Sequence, residues 1–248
     1  MIASYSKTKT MKRRILYVLL FPLILHSSCT MMVKGLAKSV ANSYDNQTAF
    51  YVSDLELQDK NGGKTSFRQL FPGKTVYMYV WEHSQLLPPG DADKDYAELK
   101  NRFAKYDDVI FINLYTGNTE SDWQQVLQLK NTGVTAYRLS DKEVNEAFRA
   151  LLKSSTSPQI IGKDGSILGF KGPKPTDKLL IDYALYQARE DRNATASAKT
   201  LIKGINSERH FKDKNLADWY EKHFGKKAEG KLSVTISNGD NNISTGGE

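Results

Sequence analysis

The sequence predicts an α/β protein whose central sheet contains both parallel and antiparallel strands. Between residues 50 and 190, short apolar segments typical of strands alternate with segments of helical periodicity. The segment from Thr75 to Trp81 is rich in β-branched and aromatic residues on both faces, which is typical of a central strand covered on both sides. Turn sequences at 61–63 and 163–166 predict two hairpins, so some neighbouring strands must be antiparallel.

The individual elements follow from this periodicity and from local start and stop signals. Strands are expected at 50–52, 55–58, 75–81, 109–114, 136–139, 159–161 and 167–170, and helices at 66–70, 93–106, 119–129, 141–153 and 176–190. Ser66 is expected to cap the first helix, which ends at Pro72 and Gly73. The later helices repeat apolar residues at helical spacing, as Trp123 and Val126 do. This order predicts a mixed sheet flanked by helices.

Residues 1–28 have the organisation of a secretory signal peptide. Lys12-Arg13-Arg14 precedes an apolar run from Ile15 to Leu25. As a helix this run spans roughly 16 Å, about half of the hydrocarbon thickness, which is too short to cross a membrane. The sequence His26-Ser27-Ser28-Cys29 follows, and it resembles the lipobox of bacterial lipoproteins with His26 where Leu is usual. The resemblance implies that Cys29 carries palmitate-type acyl chains and becomes the N-terminus; the alternative is an ordinary signal peptide before a chance cysteine.

Cys29 is the only cysteine of the 248-residue sequence, so the chain cannot form an intramolecular disulfide or a thiolate metal site. Residues 29–49 are weakly amphipathic and then polar, and we expect them to form a lipidated tether. In Bacteroidetes-type lipoproteins, acidic residues just after the cysteine tend to mark surface export, and none occurs here. The resemblance therefore favours a lipid-anchored protein of the cell envelope, at the outer membrane and facing the periplasm.

The net charge of +7 does not indicate a nucleic-acid partner. Residues 1–28 hold five basic residues and no acidic residue, which leaves 30 basic and 28 acidic residues in the remainder. The basicity is thus mostly a targeting feature, and we exclude nucleic-acid binding. The 40% apolar and 10% aromatic content suffices for a buried core.

Four stretches of the region 50–190 share a further pattern. They are, in order, LELQDKNGGKTSFRQLFPGKTVYMYVW, DVIFINLY, SPQIIGKDGSIL and DKLLIDYAL. In this order they resemble the thioredoxin-like superfamily, in particular the redoxin branch typified by TlpA-like thiol–disulfide oxidoreductases. The resemblance implies a thioredoxin-like fold for about 140 residues, and it covers neither the leader nor the residues after 190.

In that family the central strand runs into a helix that begins at a Cys-x-x-Cys pair. The resemblance places the two cysteine positions near Gln85 and Pro88. Thiol–disulfide exchange requires a thiolate at a helix N-terminus, where the dipole and free N–H groups lower its pKa. Gln85 has no nucleophilic group and Pro88 lacks an N–H, so the redox chemistry of the family is not available at these positions.

The other landmark of the family is a cis-proline that faces the redox site, and Ser157-Pro158 lies at its place. The resemblance implies a cis bond here, although only about 5–6% of X–Pro bonds in folded proteins are cis. In active relatives the residue before this proline offers its backbone to an extended peptide, and Ser157 could retain that mode. We therefore expect a cleft used for binding without catalysis, with the helical C-terminal extension as the competing surface. The residues expected to line the cleft are Trp81, Glu82, His83, Leu86, Ser157 and Pro158.

Other chemistry at this loop has little support in the sequence. His83 and Ser84 are adjacent, so their side chains diverge and a hydrogen-bonded Ser–His pair is not expected. Asp91, Asp93 and Asp95 could form a metal site with His83, but acidic residues are also favoured at the N-terminus of a helix, which is the interpretation we prefer. We expect no metal, no cofactor and no catalytic residue.

Residues 191–225 are predicted to form a helical extension, and residues 226–248 a disordered tail. The extension is expected to contain helices at 193–205 and 214–224. The segment 189–231 carries eleven basic and seven acidic residues. It is therefore either a charged helical appendix packed on the domain or a docking surface for a partner or an anionic membrane. The tail is polar and rich in Gly, Asn and Ser.

Three classes of function remain open. The first is a membrane-anchored, redox-inactive thioredoxin-like lipoprotein that binds or scaffolds another envelope protein. The second is an oxidoreductase of the same superfamily that uses other residues or a cysteine supplied by a partner. The third is a structural subunit of an outer-membrane complex. The missing cysteine pair favours the first class, although a fold alone does not decide function.

Overall fold

The computed structural model describes residues 50–81, 90–128, 133–152, 158–238 and 241–244. The strands are β1 (Glu56–Gln58), β2 (Lys64–Ser66), β3 (Thr75–Trp81), β4 (Val109–Tyr115), β5 (Thr135–Leu139), β6 (Gln159–Ile161), β7 (Ile167–Gly169), β8 (Thr235–Asn238) and β9 (Asn241–Ser244). The helices are α1 (Phe67–Leu70), α2 (Gly90–Phe103), α3 (Glu120–Leu127), α4 (Glu143–Leu152), α5 (Leu180–Ala188), α6 (Ala194–Lys203) and α7 (Lys214–Phe224). Within these ranges, no helix has both the length and the apolar character needed to span a bilayer.

Seven strands form one mixed sheet in the order β2-β1-β5-β4-β3-β6-β7. The strands β3, β4 and β5 are parallel neighbours, with Trp81 of β3 opposite Tyr115 of β4. Strand β6 pairs antiparallel with β3 and with β7, and β1 pairs antiparallel with β2 and with β5. The predicted class, a mixed sheet flanked by helices, is confirmed, and so are both predicted hairpins.

The central strand β3 has its two faces in two different cores. Val76, Met78 and Val80 pack in one core with residues of β1 and α4. Tyr77 packs in the other core with residues of α2 and α5. Successive side chains of a strand point to opposite faces of the sheet, so a strand covered on both sides must be apolar at nearly every position. Six of its seven residues are buried, and only Tyr79 is half-buried.

The first hairpin and the first helix form through local hydrogen bonds. The Oδ1 of Asp59 accepts from the backbone N–H groups of Asn61 and Gly63, both at 2.8 Å, and thereby closes the turn between β1 and β2. Ser66 then caps α1, and its side chain and that of Gln69 form a reciprocal capping box. The predicted turn and the predicted cap are both present.

The last helix of the predicted domain begins later than the sequence indicates. A helix was expected from Thr176, whereas α5 begins at Leu180. The carboxylate of Asp177 accepts from the backbone N–H of Lys174 at 2.7 Å. Leu179 has a φ angle of 69°, a left-handed conformation that no helix interior contains. A side-chain-stabilised turn therefore takes the place of the first predicted helical turn.

The helical extension packs on α5 and shares a core with it. The buried residues of this core are Leu179, Leu180, Tyr183, Ala198, Leu201, Ile205, Leu216, Trp219 and Leu232. The rings of Tyr183 and Trp219 meet edge to face, with centroids 4.7 Å apart. The helices α6 and α7, predicted almost to the residue, are thus part of the folded body.

The chain after residue 225 contains more structure than a disordered tail. Leu232 is buried, and its backbone N–H donates to the carbonyl of Arg209 at 2.8 Å. Further on, β8 and β9 form a two-stranded antiparallel hairpin in which Ile236 lies opposite Ile243. The polar composition of this segment concealed its alternating Thr-Ile-Ser pattern, which suits a short strand.

Candidate binding site

Trp81 is the last residue of β3, at the carboxyl end of the strand where the predicted cleft begins. Its side chain is only 4% exposed, and its indole N–H donates to the Oδ1 of Asn113 at 3.2 Å. Its ring stacks on that of Tyr79 with centroids 4.7 Å apart. Its carbonyl accepts from the backbone N–H of Thr116 at 2.8 Å. Trp81 is therefore a fixed, mostly buried wall of the site.

A second layer of aromatic residues lies behind Trp81. Tyr115, Trp123 and Val126 form a small buried cluster with it. The rings of Tyr115 and Trp123 are stacked with centroids 6.1 Å apart, and the Tyr115 hydroxyl contacts Thr119 Oγ1 at 3.1 Å just before α3. The carboxyl ends of β3 and β4 are thus held rigid against the start of α3.

Pro158 lies at the same edge of the sheet as Trp81. It directly precedes β6, which runs antiparallel to β3 with Gln159 opposite Met78 in the middle of β3, so Pro158 lies toward the carboxyl end of β3. Pro158 is buried, and its carbonyl accepts from the backbone N–H of Gly172 at 3.0 Å. Trp81 and Pro158, the two predicted cleft residues that the structure describes, therefore lie toward the same end of β3, and the cleft between them stays a prediction.

The other predicted site residues lie outside the described residues. They are Cys29, Glu82, His83, Gln85, Leu86, Pro88 and Ser157. The bond between Ser157 and Pro158 also falls outside, so its predicted cis geometry stays a prediction. The lipidation of Cys29 and the lining of the cleft by the loop after Trp81 stay predictions for the same reason.

Within the described residues, the possible metal ligands do not lie close together. In the described ranges, no group of three or more His, Cys, Asp or Glu residues could hold a metal ion. Asp95, one of the acids near the start of α2, forms an ion pair with Lys178 at 3.0 Å. This carboxylate therefore ties α2 to the turn before α5.

A buried polar network joins α2, α5 and α7, and reasoning from the sequence did not identify it. Asp182 is 1% exposed and His223 is 2% exposed. The Nε2 of His223 lies 3.0 Å from Asp182 Oδ1, and its Nδ1 lies 3.1 Å from the hydroxyl oxygen of Tyr106. Arg102 donates to both carboxylate oxygens of Asp182, at 2.6 and 3.1 Å. The network links the domain to its C-terminal extension.

Burial and hydrogen bonding act in opposite directions on the Asp182 carboxyl. Burial raises its pKa, while the hydrogen bonds from His223 and Arg102 lower it, and the resulting pKa lies below the ordinary value of 3.8. Burial also raises the pKa of Tyr106 to about 12, so its hydroxyl keeps a proton to donate. Each group in this mostly buried network is paired, which fits a role in holding the helices together.

Two sequence signals point to this network in retrospect. Asp182 interrupts the apolar run LLIDYAL, and an acid inside such a run must find a partner when it is buried. His223 follows Trp219 by one helical turn on the buried face of α7. The partners of Asp182, however, lie 80 and 41 residues away in the chain, which no local pattern reveals.

Comparisons with known proteins find similar chains only among solved structures. No family model matches the sequence, and no curated protein matches it. A candidate thiol-disulfide oxidoreductase from Bacteroides vulgatus is 20% identical, with a TM-score of 0.42 over 55% of this chain and 97% of that one. A member of the Sco family of cytochrome c oxidase assembly proteins is 14% identical, with a TM-score of 0.40 over 59% of this chain and 96% of that one. A thiol:disulfide interchange protein from Bacteroides sp. is 18% identical, with a TM-score of 0.35 over 46% of this chain and 74% of that one.

The sheet itself defines the class. The strands β4-β3-β6-β7 have the order and directions of a thioredoxin-like core, with α2 between the parallel strands and α5 after the closing hairpin. The chain therefore has a thioredoxin-like fold. With one cysteine in the whole sequence, it has no Cys-x-x-Cys pair.

Proposed function

We propose that this protein is a membrane-anchored, redox-inactive thioredoxin-like lipoprotein that binds or scaffolds another protein of the bacterial cell envelope. The observation that carries the proposal is the position of its only cysteine. Cys29 precedes the fold, and residues 50–248 contain no cysteine. A thioredoxin-like sheet without a cysteine thiol keeps a recognition surface but cannot form the mixed disulfide of thiol–disulfide exchange.

The edge formed by Trp81 and Pro158 supports a binding role. Trp81 is fixed by its hydrogen bond to Asn113, and Pro158 by the hydrogen bond from Gly172 to its carbonyl. A rigid edge loses little conformational entropy when a partner docks, which favours affinity. Trp81 contributes as a buried support, and the loop that follows it would supply the contact residues His83 and Leu86.

The anchoring part of the proposal rests on the leader and on Cys29. A basic segment, a short apolar run and small residues before the cysteine form the pattern of a lipoprotein signal. One acyl chain gives only marginal membrane binding, so a diacylated Cys29 would suit stable anchoring. Intact-mass analysis of the membrane-extracted protein would then give a chain that begins at Cys29 and carries acyl groups, and a Cys29→Ser variant would lose them.

The binding role is tested by purifying the protein from crosslinked membranes with two surface variants. Trp81→Ala is unsuitable because truncating a buried tryptophan costs about 3–5 kcal/mol of stability. His83→Ala/Leu86→Ser instead alters only the loop, and Lys203→Gln/Lys212→Gln serves as a control on the extension. We expect the loop variant to lose an envelope protein that the wild type and the control retain.

The redox part is tested by insulin reduction with dithiothreitol as the electron source. We expect no acceleration by the wild type or by Cys29→Ser. Turnover that persists in Cys29→Ser would contradict the proposal and favour an enzyme that uses other residues. Retention of all partners by the folded loop variant would instead place binding on another surface.

A further inference from the structure

A cleft lies between α5 and the first turns of α6, and it shares no residue with the Trp81–Pro158 edge. Its volume is about 270 Å³. It is lined by Tyr183, Gln187, Asp191, Arg192, Asn193, Ala196, Ser197 and Thr200. Ligand pockets for drug-sized molecules are typically about 300–1,000 Å³, so this cleft suits a smaller ligand.

Tyr183 lines the α5 side of the cleft. The residue is only 6% exposed, and its ring is held edge to face against Trp219. Among the described residues, the hydroxyl forms no hydrogen bond, and it is accessible to solvent in the cleft, so it is free to contact a ligand. Burial raises the pKa of Tyr183 while the charge of Arg192 opposes that rise, and both residues line the cleft. The Tyr183 hydroxyl and the Arg192 guanidinium can thus both donate hydrogen bonds to a ligand in the cleft.

The opposite charges of Asp191 and Arg192 both line the cleft. Their backbone N–H groups are fixed at the end of α5, where Asp191 donates to the carbonyl of Ala188 at 3.0 Å and Arg192 to that of Gln187 at 3.2 Å. Neither side chain forms an ion pair within the part of the chain that the structure describes. A guanidinium is the preferred partner of a carboxylate, because its donors match the two oxygens.

The α6 side of the cleft offers acceptors. Ser197 Oγ donates its proton to the carbonyl of Asn193 at 2.8 Å, and Thr200 Oγ1 donates to that of Ala196 at 2.9 Å. With their protons engaged, both oxygens can only accept from a ligand. An ammonium group, which has three donors and no acceptor, fits such a wall.

The negative charges near the cleft argue against a simple anion as its ligand. Asp191 lines the cleft, and the charge of Asp213 reaches the Tyr183 hydroxyl and raises its pKa. Asn193 already caps α6 by accepting from the N–H of Ala196 at 2.7 Å, so the helix terminus is not an open anion site. The lining therefore matches a ligand that carries both signs of charge.

We propose that the cleft between α5 and α6 binds a small zwitterion of the α-amino acid type. Its carboxylate contacts Arg192 and the Tyr183 hydroxyl. Its ammonium group contacts the Asp191 carboxylate and the hydroxyl oxygens of Ser197 and Thr200. The Gln187 amide, which is both donor and acceptor, suits either group.

The test is saturation-transfer NMR on the purified full chain in detergent, with L-alanine as the probe. N-acetyl-L-alanine lacks the ammonium charge and L-alaninamide lacks the carboxylate. We expect saturable binding of L-alanine and binding at least about tenfold weaker for each blocked analogue, because each loses one charged contact. No saturable L-alanine binding, or equal binding of N-acetyl-L-alanine, overturns the proposal.

Variants assign the binding to this cleft. Arg192→Gln removes an exposed charge and Tyr183→Phe keeps the packed ring, so both should fold, which circular dichroism checks. Each is expected to weaken L-alanine binding about tenfold. Lys203→Gln, which removes a cation of α6 outside the cleft, should leave it unchanged. Unchanged binding in Arg192→Gln, or an equal loss in Lys203→Gln, overturns the assignment.

Discussion

Asp182 is a charged residue inside the protein, and its environment explains how it can stay charged. An isolated carboxylate in an apolar interior is strongly destabilising unless it is paired and hydrogen-bonded. Here Arg102 approaches both oxygens, and His223 contacts one of them from α7. The Leu179 backbone N–H also donates to the carboxylate, at 3.3 Å. Three separate parts of the chain therefore depend on this one side chain.

We predict that Asp182→Asn destabilises the protein strongly. The change leaves Arg102 without its carboxylate partner, and breaking a buried pair on one side costs about 3–5 kcal/mol. Chemical denaturation followed by circular dichroism measures the loss. Asp218→Asn is the matched control, because the Asp218 pair with Lys214 is exposed and such pairs contribute about 0–1 kcal/mol. A similar loss in both variants would show that the buried network has no special role.

Asp182 also predicts an acid-dependent loss of stability. Its pKa in the folded state lies below 3.8, the ordinary value that the unfolded chain has. A carboxyl with a depressed folded pKa stabilises fully above the unfolded pKa, and this contribution is lost as the pH falls through the folded value. The free energy of unfolding should therefore fall below about pH 4 in the wild type and fall less steeply in Asp182→Asn. Denaturation series at several pH values compare the two slopes, and equal slopes would assign the acid sensitivity to other carboxyls.

At the scale of elements, the strands, turns and caps that depend on local sequence signals were the most predictable. Thr75–Trp81, the Asp59 turn and the Ser66 cap depend on contacts within a few residues, and each is present as expected. The sequence did not predict the delayed start of α5. The Asp177 carboxylate accepts a hydrogen bond from the Lys174 N–H, and the resulting turn replaces the helical turn that the same residues could have formed. At the candidate site, the resemblance to the thioredoxin-like superfamily predicted that Trp81 and Pro158 lie toward the same end of the central strands. The contacts of Asp182 required the tertiary structure.

The close approach of α6 and α7 depends on a glycine at the end of α6. A β-carbon added at Gly204 would lie 2.0 Å from the Cδ1 of Leu216, which is buried on α7. We predict that Gly204→Ala destabilises by about 1–3 kcal/mol through overpacking. In a Leu216→Ala background the same change should cost much less, since the clashing atom is gone. A double-mutant cycle measures this coupling, and additive effects would show that α7 shifts freely.

At the scale of the whole molecule, the extension belongs to the fold. It shares a core with α5 and supplies His223 to the network. We predict that a chain ending at Arg189 unfolds at a lower denaturant concentration and self-associates, because the face of α5 that includes Tyr183 becomes exposed. Size-exclusion chromatography and denaturation check this, with a chain ending at residue 231 as the milder control. A stable monomer ending at Arg189 would show that the extension is dispensable.

The outer strands of the large sheet have a consequence for crowded conditions. Strands β2 and β7 are only three residues long, and Ala194 of α6 lies close against Gly169 in β7. An edge this short offers few unpaired backbone groups on which another chain could add a strand. Addition of a strand from another chain at either end of this sheet is therefore disfavoured, and this lowers the tendency of crowded copies to polymerise through it.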